Sequence, residues 1–344
     1  MNASIRPTLA RTAAIVGLAV GMLTFGGAVG STSSVDVTVP DGFEVTVLVG
    51  DLAQPTQIVL DGDDVIVAQL DGGEGEGTGE VLRISLAEPS EREVLVDDLL
   101  KPTGVAVLDG ELWVMEERTL SRGPVGGGDR EVVLADLPFN GRSEGTLTVS
   151  PDGQLLYNTS GTISGLGAAP GSATLWSLTP GSEPEVLATG FKNAYGRTFD
   201  ADGVLWQAEM SDGNYDGEPA PDELVVVEAG DDFGWPQCIG DRQPVAFYEG
   251  TEELCSATPR SHALFEPGAT PTSVAVAPWD EGVRLVALWV EGRVVAVPTA
   301  GDEPVEYEDF LTGVERPQFL LADEDRLLVV DYEGGRILAV EESR

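Results

Sequence analysis

A turn, an apolar run, usually Asp-Gly, and a second apolar run ending in an acid or amide recur six times along this chain. Pro55-Thr56-Gln57-Ile58-Val59-Leu60-Asp61-Gly62 leads into Val65-Ile66-Val67-Ala68-Gln69, and Pro102-Thr103-Gly104 through Asp109-Gly110 leads into Leu112-Trp113-Val114-Met115-Glu116. The unit returns from Gly145 to Thr159, Asn193 to Glu209, Pro271 to Val290 and Pro317 to Asp331. The runs are four to six residues long, β-branched and bounded by Gly, Pro and Asp, which predicts strands and no long amphipathic helix. A third and a fourth run follow in each unit, such as Thr174–Leu178 and Glu185–Ala188. One such unit cannot bury its own apolar face, so neighbours must stack. Four strands per unit and six units predict an all-β, six-bladed β-propeller over residues 43–344.

The segment Phe43–Val49 precedes the first unit, while the last unit stops one strand short at Ile337–Val340. The expectation is that the N-terminal strand completes the last blade and closes the ring. Two stretches break the rhythm: a glycine-rich loop at 71–79 and an insertion at 210–260. Connections this long are usually functional or disordered, and the tryptophan in the second argues order, so the site is sought there.

Composition adds a compartment and removes some partners. Residues 1–30 carry Arg6 and Arg11 ahead of a short, glycine-broken apolar stretch ending in Ala28-Val29-Gly30, the pattern of a secretory signal cleaved after Gly30, with an uncleaved membrane anchor as the alternative that the four glycines between Gly17 and Gly27 disfavour. Residues 31–42 then read as a linker, and the protein is expected outside the cytoplasm, secreted or periplasmic. With 59 acids against 19 bases the net charge is −40. Such a surface repels nucleic acid and anionic membranes. The acids scatter through every turn, which reads as solvation of an acidic, halophilic surface. Cys238 and Cys255, the two cysteines, lie 17 residues apart in the insertion; in an exported protein a disulfide is expected, with metal ligation as the lesser alternative. His262 is the sole histidine, which excludes multi-histidine metal sites.

Candidate chemistry concentrates in the fourth unit and its insertion. Asp212-x-Asn214-x-Asp216-Gly217, with Glu223 further on, fits the alternating-oxygen pattern of a calcium loop, although it lies between strands and contains Pro219 and Pro221. Around it stand Gly190-Phe191-Lys192-Asn193-Ala194-Tyr195-Gly196, Leu205-Trp206-Gln207-Ala208-Glu209, Pro221-Asp222-Glu223-Leu224 and Phe233-Gly234-Trp235-Pro236. Further along come Pro271-Thr272-Ser273-Val274, Glu308-Asp309-Phe310-Leu311-Thr312-Gly313 and the closing run from Arg316-Pro317 to Gly335-Arg336-Ile337. In this order the blocks resemble the soluble glucose/sorbosone dehydrogenases, six-bladed quinoproteins that use pyrroloquinoline quinone and calcium.

The resemblance implies oxidation of an aldose-type sugar to its lactone, with electrons passed to an acceptor; the chain is expected to be a monomer. It implies that Lys192 and Asn193 hold the quinone together with Arg293 and Arg316, and that Glu209, Asp222 and Glu223 lie near calcium sites. Lys192 stands where the family has arginine and lacks the bidentate fork. The family's catalytic histidine would fall within Leu137–Leu147, which contains no imidazole; Glu144 is the substitute base if burial raises its pKa. Two alternatives keep the scaffold: a non-catalytic propeller that binds a ligand or partner, and a calcium-dependent lactonase using Glu209 and a metal-bound water.

Overall fold

The computed structural model describes residues 36–72, 75, 77–141, 145–211 and 213–343. Six four-stranded antiparallel sheets follow one another around an axis, each entered by its innermost strand. The innermost strands are Pro55–Asp61, Gly104–Leu108, Thr148–Val149, Ala194–Phe199, Pro271–Ala277 and Pro317–Asp323. The sixth sheet has the order Pro317–Asp323, Arg326–Asp331, Arg336–Glu342, Phe43–Val49, so the N-terminal strand is its outermost member. Phe43 pairs with Glu342 and Val45 with Val340. The ring closes as the sequence predicts. The expected leader and most of the linker, residues 1–35, lie outside the described residues. No helix among the described residues is long and apolar enough to cross a membrane.

The core explains why the second strands read as unbroken apolar runs. Successive side chains of a strand point to opposite faces of its sheet. In the first blade Val65 and Val67 pack toward the sixth blade, against Leu328 and Val330, while Ile66 and Ala68 pack toward the second, against Leu112 and Val114. The same division recurs at every blade boundary, giving six interfacial clusters. Each sheet is buried on both faces only because it has two neighbours.

The acid or amide that ends each second run also has a structural task. Gln69 Oε1 accepts the Ala53 N–H at 2.9 Å, Glu116 Oε2 the Leu100 N–H at 2.8 Å, and Asp331 Oδ1 the Arg316 N–H at 3.1 Å. Ser160 does the same for Asn140, and Glu209 for Lys192. Each clamp fixes the segment leading into its own blade, at the end where inner strands begin and second strands finish. The fifth blade breaks the pattern: Trp289 N–H donates to the Thr270 carbonyl, and the Thr270 N–H is taken by Asp222 of the preceding blade.

Candidate functional site

A cavity of about 350 Å³ opens at that end of the axis. Its wall comes from matching positions of different blades: Thr56, Thr103, Tyr195, Thr272 and Gln318 are each the second residue of the repeat's opening dipeptide. Lys101, Asn193 and Thr270 stand one residue before such dipeptides and line it too, with Met210, Trp289 and Tyr332 from the ends of second strands. Gln318 Nε2 donates to the Tyr195 hydroxyl at 2.7 Å, tying the fourth blade to the sixth across the axis. The lining is polar and aromatic, with one ammonium.

Asn193 is buried in this wall. Its Oδ1 accepts from Asn140 Nδ2 at 2.7 Å and its Nδ2 donates to the Met210 carbonyl at 3.1 Å. Lys192, beside it, turns away: its Nζ lies 5.7 Å from the centre of the Trp235 ring. Arg316 sits behind the aromatic rim, 4.6 Å over the Trp289 ring, and donates to the Val290 carbonyl at 3.1 Å. Arg293 is not brought to the cavity. It pairs with Glu291 and Asp309 and lies over the Tyr307 ring, because its strand Arg293–Pro298 is third from the axis.

Behind the cavity wall the structure gathers three buried acids. Glu209 Oε1 accepts the N–H groups of Lys192 and Asn193, while Glu209 Oε2 is buried without a hydrogen-bond partner among the described residues. Glu223 accepts from the hydroxyls of Ser211 and Ser261. Glu209, Ser211 and Glu223 line a small enclosed cavity closed by Phe233, Trp235 and Cys238. Asp222 uses both carboxylate oxygens on backbone, accepting the Ser211 and Thr270 N–H groups at 2.8 Å each. Burial, and next the neighbouring Glu223 charge, push the Glu209 carboxyl well above its ordinary range. Burial raises Glu223 to about 7, against the serine hydrogen bonds that hold it down.

The calcium-loop pattern does not assemble around one point. Asn214 is exposed in a short hairpin with Pro219, and Asp216 caps the turn at 246–248 by accepting the Ala246 and Phe247 N–H groups. Among the described residues of the pattern only its last acid, Glu223, joins the buried group, because it lies on the strand Asp222–Val227. Asp212 and Glu144 lie outside the described residues. His262 is remote from the cavity: its ring meets the Pro298 carbonyl at 2.8 Å and Glu303 at 3.1 Å and packs edge-on against Trp206.

The insertion is ordered around its own small core of Ala173, Tyr215, Ala220, Trp235 and Val245. Trp235 Nε1 donates to the Tyr215 hydroxyl at 2.7 Å, and the Cys238–Cys255 disulfide is formed, with Cα atoms 5.6 Å apart. Sequence reasoning missed Lys101, Tyr195, Trp289, Gln318 and Ser261. For Lys101 a signal existed: it precedes Pro102-Thr103 as Asn193 precedes Ala194-Tyr195 and Arg316 precedes Pro317-Gln318.

Among solved structures the chain is similar to the holo form of the PQQ domain of pyranose dehydrogenase from Coprinopsis cinerea. The identity is 17%, over 89% of this chain and 97% of that one, with a TM-score of 0.72. The calcium structure of a Trichoderma reesei Carbohydrate-Active Enzymes Family AA12 protein matches at 17% identity over 89% and 97%, TM-score 0.73. The apo form of the soluble aldose sugar dehydrogenase from Escherichia coli matches at 16% identity over 88% and 100%, TM-score 0.64. At such identities the likeness is one of fold. No curated protein sequence matches the chain. The family model for glucose/sorbosone dehydrogenase matches residues 143–314, half of the sequence. The chain belongs to the glucose/sorbosone dehydrogenase family.

Proposed function

We propose that this protein is an exported, calcium-dependent quinoprotein that oxidises an aldose-type sugar to its lactone in the axial cavity. The observation that carries the reading is the juxtaposition of that cavity with the buried acids behind its wall, joined by the Asn193 N–H to Glu209 Oε1 hydrogen bond of 3.2 Å. Export is supported by the leader-like residues 1–30 and by the disulfide, a bond that persists in oxidising compartments.

A calcium ion suits the acids. It takes six to eight oxygens, carboxylate and carbonyl, and Glu209 Oε2 is a buried oxygen with no partner among the described residues. Glu209 and Glu223 would hold it, with Asp222 positioning Ser211 and Thr270 around them. A planar quinone suits the cavity, which offers the aromatic faces of Trp289 and Tyr332 and the Lys101 ammonium. Pyrroloquinoline quinone, when bound, supplies the two-electron acceptor for the sugar. The chain's part is then to orient the sugar hydroxyl and take its proton. Glu144, one residue before Gly145-Thr146 in the repeat, is the proposed base.

The second reading, a propeller that binds without catalysing, is favoured by the place of His262: the one imidazole is buried away from the cavity. Reconstituting the purified protein with calcium and pyrroloquinoline quinone separates the two. A bound-quinone spectrum with sugar-dependent dye reduction supports the dehydrogenase. The spectrum without turnover leaves the binding protein, and lactone hydrolysis with calcium alone would replace both.

A further inference from the structure

The end of the propeller opposite the axial cavity is hollow too. The innermost strands begin beside that cavity, and toward their other ends they surround a channel of about 440 Å³. Val59, Val107, Val149, Phe199, Val276 and Leu321, one from each blade, line it. Arg197, earlier on the same strand as Phe199, lines it as well. Its N–H groups are spent on the Thr146, Leu156, Ala194 and Tyr195 carbonyls and on the Gln207 and Asn158 side chains. The channel is therefore an apolar funnel with a sealed cation in its wall.

Beside the funnel, between the third and fourth blades, lies a cleft of about 580 Å³, and Phe199 belongs to the walls of both. Its banks are the turns 150–154 and 200–204, longer than the turns 62–63, 109–110 and 324–325 of the first, second and sixth blades. Leu187, Phe199, Val204 and Val226 line the cleft and are only half-buried. Asp152 and Glu228 line it and are exposed, and Asp202 is exposed on the turn 200–204. No basic side chain lines this cleft among the described residues. Acids are scattered over the whole molecule, but here they border uncovered apolar surface. The cleft has the size and the mostly apolar wall of a small-molecule pocket. Such a wall takes hydrocarbon out of water, a carboxylate mouth attracts a cation, and the face of an aromatic ring stabilises one.

We propose that this cleft binds a small organic cation with an apolar body, an arylalkylammonium. The hydrocarbon lies against Phe199 and Val226, and the charged head lies at Asp152 and Glu228. The site is at the far end from the axial cavity and needs neither quinone nor calcium.

Three probes share one body and differ in charge: 4-phenylbutylammonium, 4-phenylbutanol and 4-phenylbutyrate. Calorimetry on the full chain, in chelator and in the lowest salt that keeps it folded, measures their affinities, since salt screens the charged part. The ammonium should bind about 10-fold more tightly than the alcohol, and the carboxylate more weakly than either. Asp152→Asn combined with Glu228→Gln should bring the ammonium down to the alcohol and leave the alcohol unchanged. Glu88→Gln combined with Glu91→Gln, two exposed acids of the first blade, should leave the preference in place. Val204→Lys, whose long side chain can carry its charge out to water, should weaken the alcohol about 5-fold and the ammonium more. No binding, equal affinity for the three probes, or binding unmoved by Val204→Lys overturns the proposal. A preference that survives the Asp152 and Glu228 pair, or falls as far with the Glu88 and Glu91 pair, overturns it as well. So does a dimer in sedimentation that Val204→Lys dissociates, which would make a second copy of the chain the occupant.

Discussion

Asn193 and Glu209 share one hydrogen bond that joins the two compartments of the site. The Asn193 N–H donates to Glu209 Oε1, while the Asn193 side chain bridges Asn140 and Met210 beside the axial cavity. A change of charge or position at Glu209 is therefore felt at the cavity wall through one backbone amide. Carboxylates at other second-strand ends share this clamp, but among the described residues only Glu209 also feels two further buried acids, Glu223 and Asp222.

Glu209→Gln separates the clamp from the charge. The glutamine keeps an oxygen for the Lys192 and Asn193 N–H groups and removes an acid whose ionisation burial opposes first and the Glu223 and Asp222 charges next. In chelator the variant should be more stable than wild type, by about 1 kcal/mol, since a neutral amide escapes the cost of burying the carboxyl, and next its repulsion with Glu223, while the hydrogen bond is kept. Calcium at a hundred times its Kd should add about 2.7 kcal/mol to wild type and almost nothing to the variant. Urea melts with and without calcium measure both. Equal calcium stabilisation in the two proteins would remove Glu209 from the metal site.

Glu223 gives the metal-free protein a pH dependence of definite sign. Its folded pKa, about 7, lies above the ordinary 4.5, so the fold prefers the protonated form. Below about 4.5 folded and unfolded chains both hold the proton and nothing is lost. Between about 4.5 and 7 the unfolded chain releases it first, and stability falls as pH rises, by about 3 kcal/mol at most. Above about 7 this contribution is flat. Glu209, also raised, extends the decline upward. Unfolding midpoints in chelator at high salt should fall across this window, less steeply in Glu223→Gln, and calcium should restore the loss at the upper end. A slope unchanged in Glu223→Gln assigns the decline to other acids.

The fold was readable because its determinants are periodic. Val65 to Ala68 had to face two neighbours, and Phe43–Val49 had no partner except the open edge of the last blade. The buried acids were half readable: Glu209 ends a repeat, and Asp222-Glu223 opens the next strand. What failed was the calcium-loop spacing, since a pattern of alternating oxygens says nothing about where backbone N–H groups stand. Asp216 is drawn to the N–H groups at Ala246 and Phe247, thirty residues away in sequence. Arg293 failed because a strand's distance from the axis, more than its charge, decides whether it reaches the cavity. Lys101 went unseen because its place in the cavity wall depends on a left-handed backbone that no single repeat reveals.

Arg197 should prove structural in a way its charge alone would not suggest. Its guanidinium ties blade three, through Thr146, Leu156 and Asn158, to Ala194, Tyr195 and Gln207 of blade four. Arg197→Met leaves several buried oxygens without donors, each worth about 1–3 kcal/mol. A loss of about 3 kcal/mol or more is expected in urea unfolding. Hydrogen exchange should rise first at the Thr146 N–H, which bonds the Tyr195 carbonyl across the same seam. A variant as stable as wild type would mean that water replaces the arginine along the channel.

Ring closure makes the strand Phe43–Val49 a condition of the whole fold. It pairs along its length with Arg336–Glu342, and Phe43 packs against Trp279 and Phe310 of the fifth blade at centroid distances of 4.7 and 5.2 Å. A chain beginning at Gly50 would leave the Arg336–Glu342 edge unpaired and uncover Val340 and Leu338, an invitation to edge-to-edge aggregation. It should be recovered as aggregate. A synthetic peptide of residues 36–50 added during refolding should restore soluble protein, as strand addition to an open edge does. Substituting Val45 by Asp in that peptide should abolish the rescue, because Val45 faces the cluster between blades five and six. A soluble, cooperatively unfolding protein from the truncated chain alone would show that five complete blades and a three-stranded sixth suffice.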